Sequence, residues 1–165
     1  MIKLRSKLYS ICCIFFLICF SFIVDASVLQ GKVVRVLDGD TIEVLQEQKP
    51  VRVRLLNIDA PEKKQPFGRW SSEQLKRLVL GQPVTVVFTR KDRYERVLGR
   101  VFTSGGKEVN RELVLSGAAW VYDFYNTDKE LPGLQLEAQK QKCGLWVDNK
   151  PVPPWEWRRT GGTHL

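Results

Sequence analysis

Residues 51–62 read Val-Arg-Val-Arg-Leu-Leu-Asn-Ile-Asp-Ala-Pro-Glu, and the fold is decided there. Val51, Val53 and Leu55 alternate with Arg52 and Arg54, the period-two pattern of a strand with one buried face. The strand then runs into Asn57-Ile58-Asp59-Ala60-Pro61-Glu62, where Pro61 stops regular pairing because it has no N–H to donate. One arginine and two carboxylates, Arg54, Asp59 and Glu62, thus leave from the end of a single strand. Upstream, Asp38-Gly39-Asp40-Thr41 sets two more acids in a tight turn, with Gly39 free to take positive φ. Downstream, Asp92-Arg93-Tyr94-Glu95-Arg96 places basic groups at another strand junction. Clustered acids fit a hard cation with oxygen ligands, and flanking arginines fit a phosphate that meets it. Taken alone, Asp-Gly-Asp is also what an ordinary hairpin turn favours.

Outward from this stretch, Val28–Leu37 and Ile42–Gln46 read as two preceding strands, with Glu47–Pro50 as a polar hairpin loop. Arg69–Leu80 changes to a helical period, with Trp70, Leu75, Leu78 and Val79 near one face and Gly81 as its stop. Two more strands follow, one from Pro83 to Thr89 and one from the basic turn to about Thr103. Asn110 is positioned to cap a short helix through Ser116, and Thr127 or Asp128 to cap a last helix reaching Cys143. Trp120, Tyr122 and Phe124 have core as their default reading. Pro151–Arg159, PVPPWEWRR, is too proline-rich for a helix or a central strand. Pattern alone gives an α+β class with a small antiparallel sheet or barrel.

The chain has 165 residues and a formal net charge of +8, enough for one domain with one modest core. Residues 1–26 have the three-part layout of a cleaved secretory signal peptide: Lys3, Arg5 and Lys7, then an apolar run, then Val24-Asp25-Ala26. An uncleaved anchor is the rival reading, for which the apolar run is short. Cleavage removes three bases and one acid, leaving +6, so a polyanion or an anionic membrane remains the natural partner. Residues 27–150 then form the domain and 151–165 a Pro- and Trp-rich tail. Cys12, Cys13 and Cys19 lie in the leader, so Cys143 has no partner for an intramolecular disulfide. The single histidine, His164, excludes histidine-based catalysis and a histidine-rich zinc site.

DGDT, then RLLNIDAPE, then DRYERVLGR, in this order and spacing, resembles the staphylococcal nuclease family from about Gly31 to about Trp146. The resemblance implies a five-stranded OB-fold Greek-key β-barrel with three helices. It implies Ca²⁺ held by the carboxylates of Asp40 and Asp59 and the backbone carbonyl of Thr41, with Asp38 in support. It assigns Glu62 to activation of water as the general base, and Arg54 and Arg96 to the phosphate. Tyr125 matches one of two tyrosines beside the nucleotide, while Asp123 replaces the other. The expected activity is secreted or periplasmic, Ca²⁺-dependent hydrolysis of DNA and RNA with little sequence preference, leaving 3′-phosphate ends. Nothing implies a stable protein partner, so a monomer is expected. Two other classes compete: a nucleic-acid-binding module that kept the fold but lost catalysis, and a basic envelope protein needing only its charge and leader. The complete set Asp40, Arg54, Asp59, Glu62 and Arg96 favours the enzyme, because a retired site has no reason to keep all five.

Overall fold

The computed structural model describes residues 26–162, so the leader and His164 lie outside the described residues. Five strands close a barrel: β1 (Ser27–Val36), β2 (Thr41–Gln46), β3 (Lys49–Leu55), β5 (Pro83–Lys91) and β6 (Val97–Thr103). Two-residue strands β4 (Ile58–Asp59) and β7 (Trp120–Val121) pair as a separate ladder. Around the barrel the order is β1-β2-β3-β6-β5, with β5 returning to β1. Every pairing is antiparallel except β3 with β6, where Val53, Arg54 and Leu55 align in parallel with Val97, Leu98 and Gly99.

The alternation in Val51–Leu55 is realised: Val53 and Leu55 are buried while Arg52 faces out. Ile42 and Val44 of β2 and Val97 and Val101 of β6 point into the same interior. Fully burying one such aliphatic side chain contributes roughly 1.5–3 kcal/mol. The hairpin loop is shorter than expected, consisting of Glu47 and Gln48 at φ 45° and 68°. Two left-handed residues match the twist of the flanking strands, so Lys49 and Pro50 are already paired in β3.

Helix α1 (Gly68–Val79) follows the predicted span and buries Leu75 and Val79 against the barrel. In α2 (Val109–Leu115), Asn110 is not the cap: it lies inside the helix, buried. Its amide donates to Leu56 O at 2.9 Å and its Oδ1 accepts from Val101 N–H at 3.0 Å, so it ties helix to barrel. Likewise α3 (Leu131–Lys140) starts after Glu130, with no side-chain cap from Thr127 or Asp128. Half-buried Cys143 packs with Ala138, Leu145 and Trp146 in a second small core.

The tail departs from expectation. Pro154–Arg159 is a helix, α4, the fourth α-helix among the described residues where three helices were expected. Proline at the first helical position loses no intrahelical hydrogen bond, and its fixed φ suits the helix. Glu156 in the first turn and Arg158 and Arg159 in the last complement the helix dipole. Trp157 buries against the domain, and Trp155 stacks on Tyr122 at 5.5 Å between ring centres.

Candidate active site

The carboxylates come together because the chain bends sharply after β3. Asn57 adopts φ 68°, a left-handed conformation that asparagine tolerates better than most residues. Its Oδ1 accepts from Thr127 N–H at 3.2 Å and its carbonyl accepts from Tyr122 N–H at 2.9 Å, which fixes the bend. The chain then returns as β4 and brings Asp59 back beside Asp40 at the start of β2. Ala60 N–H donates to Asp40 Oδ2 at 2.7 Å, and Leu55 N–H donates to the Asp40 carbonyl at 2.8 Å. Gly39 serves this approach sterically and not through positive φ, as its sequence setting implied. A Cβ there would lie 2.6 Å from Ala60 Cβ.

Asp40 and Asp59 are 6% and 2% exposed, a depth at which a carboxylate needs a cation. Arg54, 14% exposed at its side chain, fills part of that need. Its Nε lies 3.0 Å from Asp40 Oδ1, and its Nη2 donates to Asp59 Oδ1 at 3.0 Å. Its Nη1 donates to the carbonyls of Leu55 and Ile58 at 2.7 and 2.8 Å. The compensation is incomplete. Burial, joined by the charge of Asp40, raises the Asp59 pKa even against Arg158 and Arg54. Burial, again with Asp40, pushes Asp38 up to about 6.

An excess of buried carboxylate, all of it hard oxygen, fits a cation such as Ca²⁺. Among the described residues no three acidic, histidine or cysteine side chains form a metal-holding group. Protein carboxylates would therefore supply only part of the coordination, leaving the rest to carbonyls such as that of Thr41 and to water.

Glu62 stands at the rim, half exposed. Its N–H donates to Gln65 Oε1 at 3.0 Å, and the Gln65 amide donates to Val152 O at 2.6 Å. This buried glutamine joins the Glu62 loop to the C-terminal segment. Gly68 lets α1 start directly beneath, since a Cβ there would meet the Glu62 carbonyl at 1.8 Å. Arg96 lies in the β5–β6 turn, with Nε and Nη2 at 2.8 and 2.7 Å from Asp92 Oδ2. Tyr94 contributes its ring face to Arg93 and Arg96 at 4.8 and 5.4 Å. Arg52 and Arg100 are held away from the site by Glu43 and Glu108.

One cleft is bordered by Asp40, Thr41, Arg54, Glu62, Arg96 and Tyr125, with Asp59 behind it. Tyr125 is 61% exposed against Tyr122, while Phe124 is 74% exposed and not core. Sequence reasoning missed Arg158, which also borders this cleft. Its Nη2 donates to Asp59 Oδ2 at 2.7 Å and its Nη1 to Glu62 Oε1 at 2.8 Å. The available signal was the helix pattern of Pro154-Trp-Glu-Trp-Arg-Arg, which puts a cation at the helix end.

A barrel closed by one parallel seam, with acids and arginines gathered at the end of β3, defines an OB-like α+β protein with a site suited to a cation and a phosphate. A family model described as "Staphylococcal nuclease homologue" matches residues 52–148. A protein of Escherichia coli named "Uncharacterized endonuclease" is 58% identical over 139 residues, covering 84% of this chain and 91% of its own length. "Micrococcal nuclease" of Shigella flexneri is 42% identical over 140 residues, covering 79% of this chain and 80% of its own. "Staphylococcal-like nuclease CAN1" of Arabidopsis thaliana is 36% identical over 125 residues, 76% of this chain and 38% of its own. The chain belongs to the staphylococcal nuclease family.

Proposed function

We propose that this protein is a Ca²⁺-dependent nuclease that hydrolyses phosphodiester bonds in DNA and RNA. The observation that carries the reading is the meeting of Asp40, Arg54, Glu62 and Arg96 around one cleft, with buried Asp59 held behind it on Arg54. Asp40, Asp59 and the Thr41 carbonyl would hold the metal, which when bound supplies positive charge to the phosphate oxygens. Glu62, at the rim and accessible to solvent, takes a proton from water as its oxygen bonds to phosphorus. The bond to the 5′-oxygen breaks, so the phosphate stays on the 3′ side and the 5′-oxygen leaves to be protonated. Arg54 and Arg96 stabilise the charge that builds on the phosphate oxygens, Arg54 also fixing both metal-binding acids. The exposed ring of Tyr125 is placed to meet the nucleotide. The net charge, +6 once the leader is removed, supports sequence-independent contact with the nucleic-acid backbone.

The leader composition further supports a secreted or periplasmic protein, whose mature chain starts near Ser27. Incubation of the mature protein with DNA and RNA, with Ca²⁺ or with chelator, tests the activity. Cleavage that needs Ca²⁺ and leaves 3′-phosphate ends is expected, and full activity in excess chelator would overturn the metal assignment. Intact mass from envelope or medium tests export, with a full-length chain in the membrane fraction as the contrary result.

A further inference from the structure

We infer that Arg158 is a third arginine of the active site, pairing with Asp59 and Glu62 in the metal-free protein and exchanging Asp59 for the phosphodiester when metal binds. The inference rests on the metal assignment proposed above. Both oxygens of Asp59 already face guanidinium groups: Oδ1 meets Arg54 at 3.0 Å and Arg158 at 3.3 Å, and Oδ2 meets Arg158 at 2.7 Å. A metal ion on either Asp59 oxygen would share it with a guanidinium, and the like charges so close together favour withdrawal of the arginine held less firmly.

Burial and partners decide which. Arg54 is 14% exposed, sits within β3, and its Nη1 is also held by two carbonyls. Arg158 is 43% exposed, and among the described residues its ion pairs are with the two acids alone. Trp157 and the Gln65–Val152 hydrogen bond anchor α4, so the side chain can turn while the helix stays. Where it now stands, the Arg158 guanidinium already borders the cleft that holds Arg54 and Arg96. A phosphate arriving there finds a planar fork suited to two of its oxygens. The same movement releases the Glu62 carboxylate to face water. The family match ends at residue 148, so this arginine comes from a part of the chain that the family pattern does not cover.

Calorimetric titration of Ca²⁺ into the nucleic-acid-free protein, with its full C-terminal segment, tests the exchange. Arg158→Ala should bind Ca²⁺ about fivefold tighter than the parent, the scale of one partly exposed ion pair. Arg159→Ala, which removes the same charge from the same helix outside the site, should match the parent. With Ca²⁺ saturating, a nucleoside 3′,5′-bisphosphate should bind several-fold more weakly to Arg158→Ala. Arg158→Lys keeps the charge without the fork, and its Ca²⁺ affinity should fall between parent and alanine variant. This variant decides the matter if Arg158→Ala loosens α4, as read by the near-ultraviolet signal of the tryptophans. Ca²⁺ affinity that is unchanged or weaker in the variants, or that rises equally in Arg159→Ala, overturns the inference. So does unchanged bisphosphate affinity. A parent protein that binds no Ca²⁺ at all would instead defeat the metal assignment on which the inference rests.

Discussion

Arg54 and Arg96 both border the cleft, yet they are held in very different ways. Arg54 emerges from β3, nearly buried, with each guanidinium nitrogen against a protein oxygen. Arg96 sits in a turn, with Asp92 as its one ion-pair partner among the described residues and the Tyr94 ring beside it. The first arrangement builds the site, because two buried acids depend on that guanidinium for charge compensation. The second holds a cation ready at the rim and commits little of the fold to it. One residue type thus serves as a structural keystone in one place and as a lightly held rim contact in the other.

The sharpest way to break this contrast is Arg54→Met. It leaves Asp40 and Asp59 buried beside each other and frees two carbonyls, so stability should fall by about 3–5 kcal/mol, the usual cost of removing one partner from a buried pair. Urea denaturation measures it, and activity should vanish with it. Next comes Glu62→Gln, which keeps volume at the rim. Single-turnover cleavage should drop on the order of 10²–10⁴-fold, the range for a lost general base, with folding stability little changed. A variant that cleaves at the parental rate would remove Glu62 from the chemistry.

Arg96→Ala should separate the two arginines most directly. Its stability cost should be about 1 kcal/mol, the upper end for surface pairs because both partners are half-buried, while cleavage still falls through weaker charge stabilisation. A loss as large as that of Arg54→Met would erase the distinction. The smallest effect concerns pH. Burial raises the Asp92 pKa, but hydrogen bonds from the Arg96 side chain and from the Arg96 and Tyr94 N–H groups outweigh it, holding the carboxyl below its ordinary value. Its stabilising contribution is therefore present above the ordinary carboxylate pKa of about 4 and is lost as pH falls through the lowered folded value. Asp92→Asn should flatten that part of the acid-denaturation curve and leave Arg54-dependent stability intact.

Much of this was legible in the sequence where a residue's own chemistry dictates its place. Val53 and Leu55 had to face inward, which sent Arg54 to the other face, and the acid-rich bends on either side followed the strand ends. What the sequence hid was carried by tertiary partners. Ile58 and Asp59 are too short a run to read as a strand, and only pairing with Trp120 and Val121 makes them one. Asn110 resembles a cap until Leu56 and Val101 offer it better partners inside. The prolines of PVPPWEWRR argued against a helix, although the last of them, Pro154, begins it. That misreading concealed Arg158, whose link to Glu62 spans most of the folded domain in sequence.

The parallel seam between β3 and β6 has a further consequence, for the order of folding. Strands β1, β2 and β3 can zip as neighbours, and so can β5 with β6, each at small cost in chain entropy. Joining Val53 to Val97 must instead enclose β4, α1 and β5 in one loop. Contacts so distant in sequence are slow to form, so this seam is expected among the last events of folding. Arg54 and Leu98 share a register position in it. An incompletely closed barrel consequently lacks the geometry that brings Arg54 and Arg96 to one cleft, and the proposed site arises only with the finished domain.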